Sequence, residues 1–299
     1  MSFEEQMQQK VHEVELKIQA FLPAEEGFQK TVFEAMNYSV LAGGKRLRPL
    51  LMAETFKMLG GTDEKLLTPF MAALEMIHTY SLVHDDLPAM DNDEYRRGRK
   101  TTWMTFGEDM GILAGDALLN FAFETAGKAF DAAENEEELR RAAKALSILS
   151  KKAGVYGMIG GQVVDVQLSG KPIEKDVLDF IYAMKTGALI EAAMMIGGAL
   201  AGADAQVLQK IESIALKTGL AFQIEDDILD VTSTLEVLGK LTHSDEKNEK
   251  TTYVTLYGIE KAQEEVKQLS HEAVSLLDEL GGRDTFLEAL ILSLIHRKK

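Results

Sequence analysis

Apolar residues recur at three- and four-residue spacing along almost the whole chain, the period of helices that bury one face. Phe70, Leu74, Ile77 and Ser81 trace one such stripe, Ile181, Met184, Ala188 and Ala192 a second. Ile211, Ile214, Ala215, Phe222 and Ile228 trace a third. No alternating β-branched run interrupts the pattern and the chain has only five prolines, so the expected class is all-α. Breaks are predicted at Gly60-Gly61, Gly170-Lys171-Pro172 and Gly281-Gly282. The glutamate-rich stretch 131–139 reads as an exposed connection and helix start, and the charged, weakly periodic stretch 234–250 as a loop. No low-complexity linker divides the chain, so a single domain over residues 1–299 is expected.

With 46% hydrophobic and 27% charged residues, the composition suits a globular protein with ample core. A formal charge of −16 argues against nucleic acid or an anionic membrane surface as partner, because both require a basic face. The chain has no cysteine, which removes disulfides, thiol catalysis and zinc–thiolate sites. The start Met1-Ser2-Phe3-Glu4-Glu5 lacks the basic and apolar regions of a signal peptide. The richest apolar run, 188–201, is interrupted by Glu191 and Gly197-Gly198 and falls short of the roughly 20 residues a bilayer demands. A cytoplasmic protein without stable membrane insertion is expected.

Two aspartate clusters carry the chemistry: Asp85-Asp86-Leu87-Pro88-Ala89-Met90-Asp91 and Asp226-Asp227-Ile228-Leu229-Asp230. Each ends an apolar helical stretch, where carboxylates are costly unless neutralised. A hard divalent cation is the natural neutraliser, since it takes oxygen ligands, and metal ions between two such clusters would suit a diphosphate. In the first cluster Pro88 ends regular helix and disfavours helical geometry at Leu87, so the backbone should loosen and bring Asp91 round towards Asp85. His78 lies on the same helix face, about 10 Å below Asp85 at a rise of about 1.5 Å per residue. In the second cluster Gln223, Asp226, Asp227 and Asp230 share one helix face, where repulsion between neighbours calls for a cation.

Basic residues are concentrated near these clusters despite the acidic total. Arg96-Arg97-Gly98-Arg99-Lys100 can form a bidentate clamp on phosphate oxygens. Gly43-Gly44-Lys45-Arg46-Leu47-Arg48-Pro49 precedes a helix expected over 50–59, with Pro49 at its first position. Cations there oppose the helix dipole by roughly 0.3–1 kcal/mol each, which an anion would offset. Lys185-Thr186-Gly187 lies inside an apolar helix, and an interior glycine costing ~1 kcal/mol suggests a kink that exposes carbonyls to a cavity. Lys240 and Lys250 fall in the loop beyond the second cluster, within reach of an anion. Gly160-Gly161-Gln162-Val163-Val164-Asp165 reads as a close-packed helix behind the site.

With these motifs assembled, the chain resembles the short-chain trans-prenyltransferases of the polyprenyl synthetase family, most of all the bacterial farnesyl diphosphate synthases. The resemblance runs from Gly43-Gly44-Lys45-Arg46-Leu47-Arg48-Pro49 to Lys250-Thr251-Thr252-Tyr253. It implies the isoprenoid synthase fold, a single-domain helical bundle around a deep central cavity, as a homodimer. It implies that Asp85, Asp86, Asp91, Asp226, Asp227 and Asp230 bind Mg²⁺, and that Arg96, Lys185, Lys240 and Lys250 grip the allylic diphosphate. Lys45, Arg48, His78 and Arg97 would hold isopentenyl diphosphate, and Lys185, Thr186 and Gln223 would face the developing carbocation. Tyr80, with Ser81 beside it, would form the floor that limits the product to (2E,6E)-farnesyl diphosphate. Lys100 and Thr102-Trp103-Met104 depart from the family pattern after the arginines. A geranylgeranyl diphosphate synthase is the alternative, and a non-catalytic prenyltransferase subunit a weaker one. A terpene cyclase would carry an asparagine/serine/glutamate motif in place of the second cluster.

Overall fold

The computed structural model describes residues 1–232, 251–283 and 285–295. Among them the regular elements are helices and one two-stranded hairpin, as the apolar period predicts. The chain divides into two compact units, Met1–Ala53 with Gly61–Leu146, and Glu54–Gly60 with Ser147–Lys299.

In the first unit, α1 (Phe3–Gln19) opens with a reciprocal cap between Ser2 and Glu5. α2 (Lys30–Val40) and the beginning of α3 (Leu47–Met58) follow. α3 starts at Leu47, earlier than the expected position 50, and Pro49 is its third residue. The first-turn amides of a helix have no internal acceptor, so proline costs nothing there. α4 (Leu67–Asp85) is the core of this unit, buried on all sides from Phe70 to Ile77. After the hairpin β1 (Tyr95–Arg96) and β2 (Arg99–Lys100) come α5 (Thr102–Phe106) and α6 (Glu108–Ala132). α6 packs on α4 through small buried residues, among them Ala114, Ala122, Ala126 and Ala129, which let the two axes approach closely. Most of α7 (Glu136–Ala153) completes the unit.

The second unit runs through α8 (Met158–Leu168), α9 (Lys175–Ile181), a π-helical turn (Tyr182–Gly187), α10 (Ala188–Ala201) and α11 (Ala205–Thr232). It closes with α12 (Tyr253–Tyr257), α13 (Ile259–Glu279) and α14 (Phe286–Ile295). α11 is the spine, packed on α10 and α13. Where the sequence predicts a kink at Gly187, the helix instead widens over a full π turn. Such turns insert an extra residue and concentrate at functional sites. Two contacts hold it. A Cβ at Gly161 would lie 2.2 Å from the Lys185 amide nitrogen, and one at Gly219 would lie 2.9 Å from Gly187 Cα. α8 and α11 thus press backbone to backbone against the turn.

The helical run Lys175–Ala201 is longer than the interrupted apolar stretch suggests, because the helix continues through its glycines and Glu191. By length and composition it could cross a bilayer, but 67% of its apolar window is buried within the protein, as for a core helix.

Gly161→Ala is expected to destabilise the protein by about 1–3 kcal/mol, since backbone atoms cannot yield as a side chain can. Denaturant midpoints measure this, and a change below the error of the method would show that α8 has room to shift.

Candidate functional site

In the first unit the site is built where α4 ends. Leu87-Pro88 stops the helix and the chain wraps back on it. The Asp91 amide donates to the Asp85 carbonyl at 2.8 Å, and the Asp93 amide to the Asp86 carbonyl at 3.1 Å. Asp91 is thereby returned to the end of α4, as the position of Pro88 predicts. Asp86 is only 4% exposed and is gripped by Arg96, whose Nε and Nη2 both lie 2.6 Å from Oδ1. Burial pushes the Asp86 carboxyl up to about 6, with Asp93 and Asp85 adding to the rise and Arg96 opposing it.

The basic run forms the hairpin, whose turn places Arg97 at φ 53° and Gly98 at φ 76°. Both signs are those of the tight turn that matches strand twist, easy for glycine and strained for arginine. The strain aims Arg97 at the glycine turn, where its guanidinium donates to the Gly43 carbonyl. Gly44 sits at φ 138°, a conformation that side-chain-bearing residues rarely adopt, and the Arg97 guanidinium packs against it. Arg46, Asn92 and Arg97 are the non-glycine residues at positive φ among those described, and all three border this site.

Arg46 is not available to an anion. It is buried, donating to Glu75 Oε1 and to the Val40 carbonyl at 2.7 Å each, with Glu15 at 3.4 Å. The expectation that all three cations of the glycine turn await an anion is corrected at this residue, because Glu75 of α4 already neutralises it. Arg48 Nη1 lies 3.3 Å from His78 Nε2. Arginine only donates, so His78 accepts at Nε2 and carries its proton on Nδ1. Burial, then Arg48, Arg97, Arg96 and Arg46, hold the imidazole well below its usual range. Desolvation lowers Arg48 to about 10, still charged at neutral pH. Lys45 is exposed beside this cluster. A small cavity of about 40 Å³ opens between Arg96, Arg97, Arg99 and Lys100 on one side and Asp86 on the other.

The family departures have structural partners. Trp103 Nε1 donates to the Asp93 carbonyl at 2.9 Å, Tyr38 donates to the Lys100 carbonyl at 2.8 Å, and Thr102 Oγ1 meets Ser39 Oγ at 2.8 Å. They fasten the hairpin and the acidic loop to the helices. Tyr80 is buried, edge-on to His84, and its hydroxyl has no hydrogen-bond partner among the described residues. Burial, with Asp85, pushes that phenol up to about 12. Ser81 donates to the His78 carbonyl.

In the second unit a cavity of about 190 Å³ is lined by Asp165, Lys171, Lys185, Thr186, Gln223, Asp226, Asp227 and Asp230. The helical spacing therefore does bring the four α11 residues to one wall, opposite the π turn. Lys185 Nζ lies 2.5 Å from Asp165 Oδ2, a partner the sequence pattern does not disclose. Asp227 is 6% exposed, and its Oδ2 accepts from the Tyr182 hydroxyl at 2.6 Å and the Tyr253 amide at 2.8 Å. Lys240 and Lys250 lie outside the described residues.

Among the described residues, no three acidic or histidine side chains already form a complete metal cage. The donors nevertheless suit Mg²⁺, which keeps waters and binds through one or two carboxylates plus substrate phosphates rather than in an all-protein cage. Half-buried Asp85 and Asp226, and buried Asp86 and Asp230, are hard oxygen donors of that kind.

Helices that present carboxylates and clustered cations at cavities define a protein of the isoprenoid synthase fold. The polyprenyl synthetase family model matches residues 29–279, and the chain belongs to that family of trans-prenyltransferases. It is similar to the dimethylallyltranstransferase of Fischerella ambigua, with 44% identity over 83% of this chain and 70% of that one. It is 44% identical to the geranylgeranyl diphosphate synthase of Cyanophora paradoxa, over 81% and 79%. The farnesyl diphosphate synthase of Micrococcus luteus is 42% identical over 91% of each chain. Among solved structures, an FPP/GFPP synthase from Zymomonas mobilis superposes with a TM-score of 0.85 at 29% identity, covering 98% of each chain. A Helicobacter pylori geranyltransferase complexed with magnesium and isoprenyl diphosphate gives 0.82 at 31% identity, covering 99% of this chain and 97% of that one.

The depressed His78 pKa fixes a sign. Unfolded, the ring takes up a proton near 6.5, whereas folded it resists until lower pH. Stability contributed by neutral His78 is present above the unfolded pKa and is lost as pH falls through the folded one. His78→Gln is expected to flatten the stability–pH slope below about 6.5. Denaturant titrations from neutral to acidic pH measure it, and an unchanged slope would place the titration elsewhere.

Proposed function

We propose that this prenyltransferase condenses isopentenyl diphosphate with dimethylallyl or geranyl diphosphate and releases mainly (2E,6E)-farnesyl diphosphate. The observation that carries the C15 assignment is Tyr80, a buried aromatic one turn before Asp85 on α4 whose hydroxyl no described group satisfies. A bulky ring there would end the space for a growing chain, with Ser81 next to it. The second reading, a geranylgeranyl diphosphate synthase, is favoured by relatives of that name at equal identity.

In this reading Asp85, Asp86, Asp91, Asp226 and Asp230 hold Mg²⁺. When bound, the ion would supply positive charge to the departing diphosphate. Arg96 in the first unit and Lys185 in the second, with Lys240 and Lys250 beyond the described residues, are suited to charge-assisted hydrogen bonds with diphosphate oxygens. Lys45, Arg48 and Arg97 hold isopentenyl diphosphate, with neutral His78 beside them so that no further positive charge approaches the carbocation. Thr186 and Gln223 offer it oxygen dipoles. The released diphosphate takes the final proton, so no side-chain base is required.

One matched span of 29–279 crosses both compact units, which supports a single catalytic domain over 1–299. α8 leaves Ile159, Val163 and Val166 exposed along one face, which supports a homodimer.

Incubation with Mg²⁺, isopentenyl diphosphate and each allylic starter, followed by sizing of the products, is expected to give mainly C15. No condensation with either starter would sink the catalytic reading, and mainly C20 would favour the alternative. Tyr80→Ala should lengthen the product; an unchanged C15 product would place the floor elsewhere. Asp85→Ala and Asp226→Ala should each lower turnover by about 100-fold or more while the melting temperature stays near that of the parent. A parallel fall in melting temperature would assign these residues to the fold instead.

A further inference from the structure

We infer that Asp227 serves the site as a positioning residue and not as a metal ligand: its carboxylate ties the π turn and the start of α12 to α11. The inference rests on the proposed function of the α11 cluster but divides that cluster into two jobs.

Three observations converge on it. Oδ2 already receives two donors, the Tyr182 hydroxyl at 2.6 Å and the Tyr253 amide at 2.8 Å, which use the two lone pairs of one oxygen. The residue is 6% exposed, whereas its neighbour Asp226 is half-buried at the same cavity wall. The two donors sit at informative places. Tyr182 is the first residue of the π turn, one turn before Lys185 and Thr186. Tyr253 is the first residue of α12, where Thr252 caps the following turn through Thr255 and leaves the Tyr253 amide for Asp227.

The physical consequence is leverage. Carboxylate hydrogen bonds are about twice as strong as neutral ones. One buried carboxylate therefore fixes where the π turn places Lys185 and Thr186 relative to Gln223 and Asp226 of its own helix. A cation drawn to Oδ2 would have to displace both donors, and one that used Oδ1 would have to reach a residue only 6% exposed.

The test pairs a conservative with a severe change and compares them with the neighbour. Asp227→Asn keeps an acceptor oxygen, so its half-saturating Mg²⁺ concentration in the condensation assay should match the parent. Asp226→Asn should raise that concentration well above the parent's, because it replaces a charged oxygen ligand by a neutral one. Asp227→Ala should lower kcat and speed hydrogen exchange at the Tyr253 amide by about tenfold or more, the loss of one charge-assisted bond. Tyr182→Phe should lower kcat with no change in Mg²⁺ requirement, and its effect should be non-additive with Asp227→Asn. An Mg²⁺ requirement in Asp227→Asn that rises as in Asp226→Asn would overturn the inference. So would unchanged Tyr253 exchange in Asp227→Ala. If neither asparagine variant moves the Mg²⁺ requirement while Tyr253 exchange rises, the metal reading of α11 fails and the positioning role of Asp227 stands.

Discussion

A charge withdrawn from water must find a partner, and each unit is organised by how it meets that requirement. In the first, Arg46 is threaded inward between Glu75 and the Val40 carbonyl. In the second, Lys152 bridges Glu191 and Glu212. Removing Arg46 or Glu75, whose side chains are 3% and 4% exposed, would leave an uncompensated buried charge at a cost of about 3–5 kcal/mol. These pairs tie their helices together away from the cavity walls that carry Asp86, Lys185 and Asp226. Arg46 shows the cost accepted for this, since it is held at φ 47°, a conformation that arginine rarely adopts.

Backbone geometry does the rest of the placing. A strained two-residue turn carries Arg97 to the glycine turn, where Gly44 takes the positive φ of 138° that the turn needs. In the second unit close backbone contacts at Gly161 and Gly219 hold a π turn that α-helical hydrogen bonding alone would relax. Both devices trade local conformational energy for the position of a cation, the pattern expected where function and packing compete.

Much of this was legible in the residues because it depends on local rules. Helical spacing brings Gln223, Asp226, Asp227 and Asp230 to one cavity wall, and Pro88 alone implies the wrapped loop that returns Asp91 to Asp85. What was not legible depends on partners remote in sequence. Glu75 is a single carboxylate in an apolar helix, and nothing local says that Arg46 reaches it. Asp165 stands in a motif that reads as close packing, yet its Oδ2 holds Lys185. The π turn is hidden because a lysine and a glycine in an apolar helix predict a kink as readily as a widened turn. The start of α3 shows the smaller limit, that proline marks a first turn without fixing its first residue.

The pairing of Lys185 with Asp165 and of Arg96 with Asp86 bears on how so acidic a protein can take anions. On the proposed reading, a cation meant for phosphate would be repelled by its cationic neighbours if left bare. A carboxylate at 2.5 or 2.6 Å holds each in place beforehand. The Lys185–Asp165 pair, 29% and 21% exposed, is worth only about 0–1 kcal/mol, so an arriving diphosphate could displace that carboxylate at little cost, whereas buried Asp86 makes its pair with Arg96 costlier to break. Burial holds the Asp86 carboxyl up near 6, which still leaves it ionised at neutral pH, as its pair with Arg96 requires. On the same reading Arg96 would turn to the diphosphate, and Asp86 would be one of the residues that hold the metal.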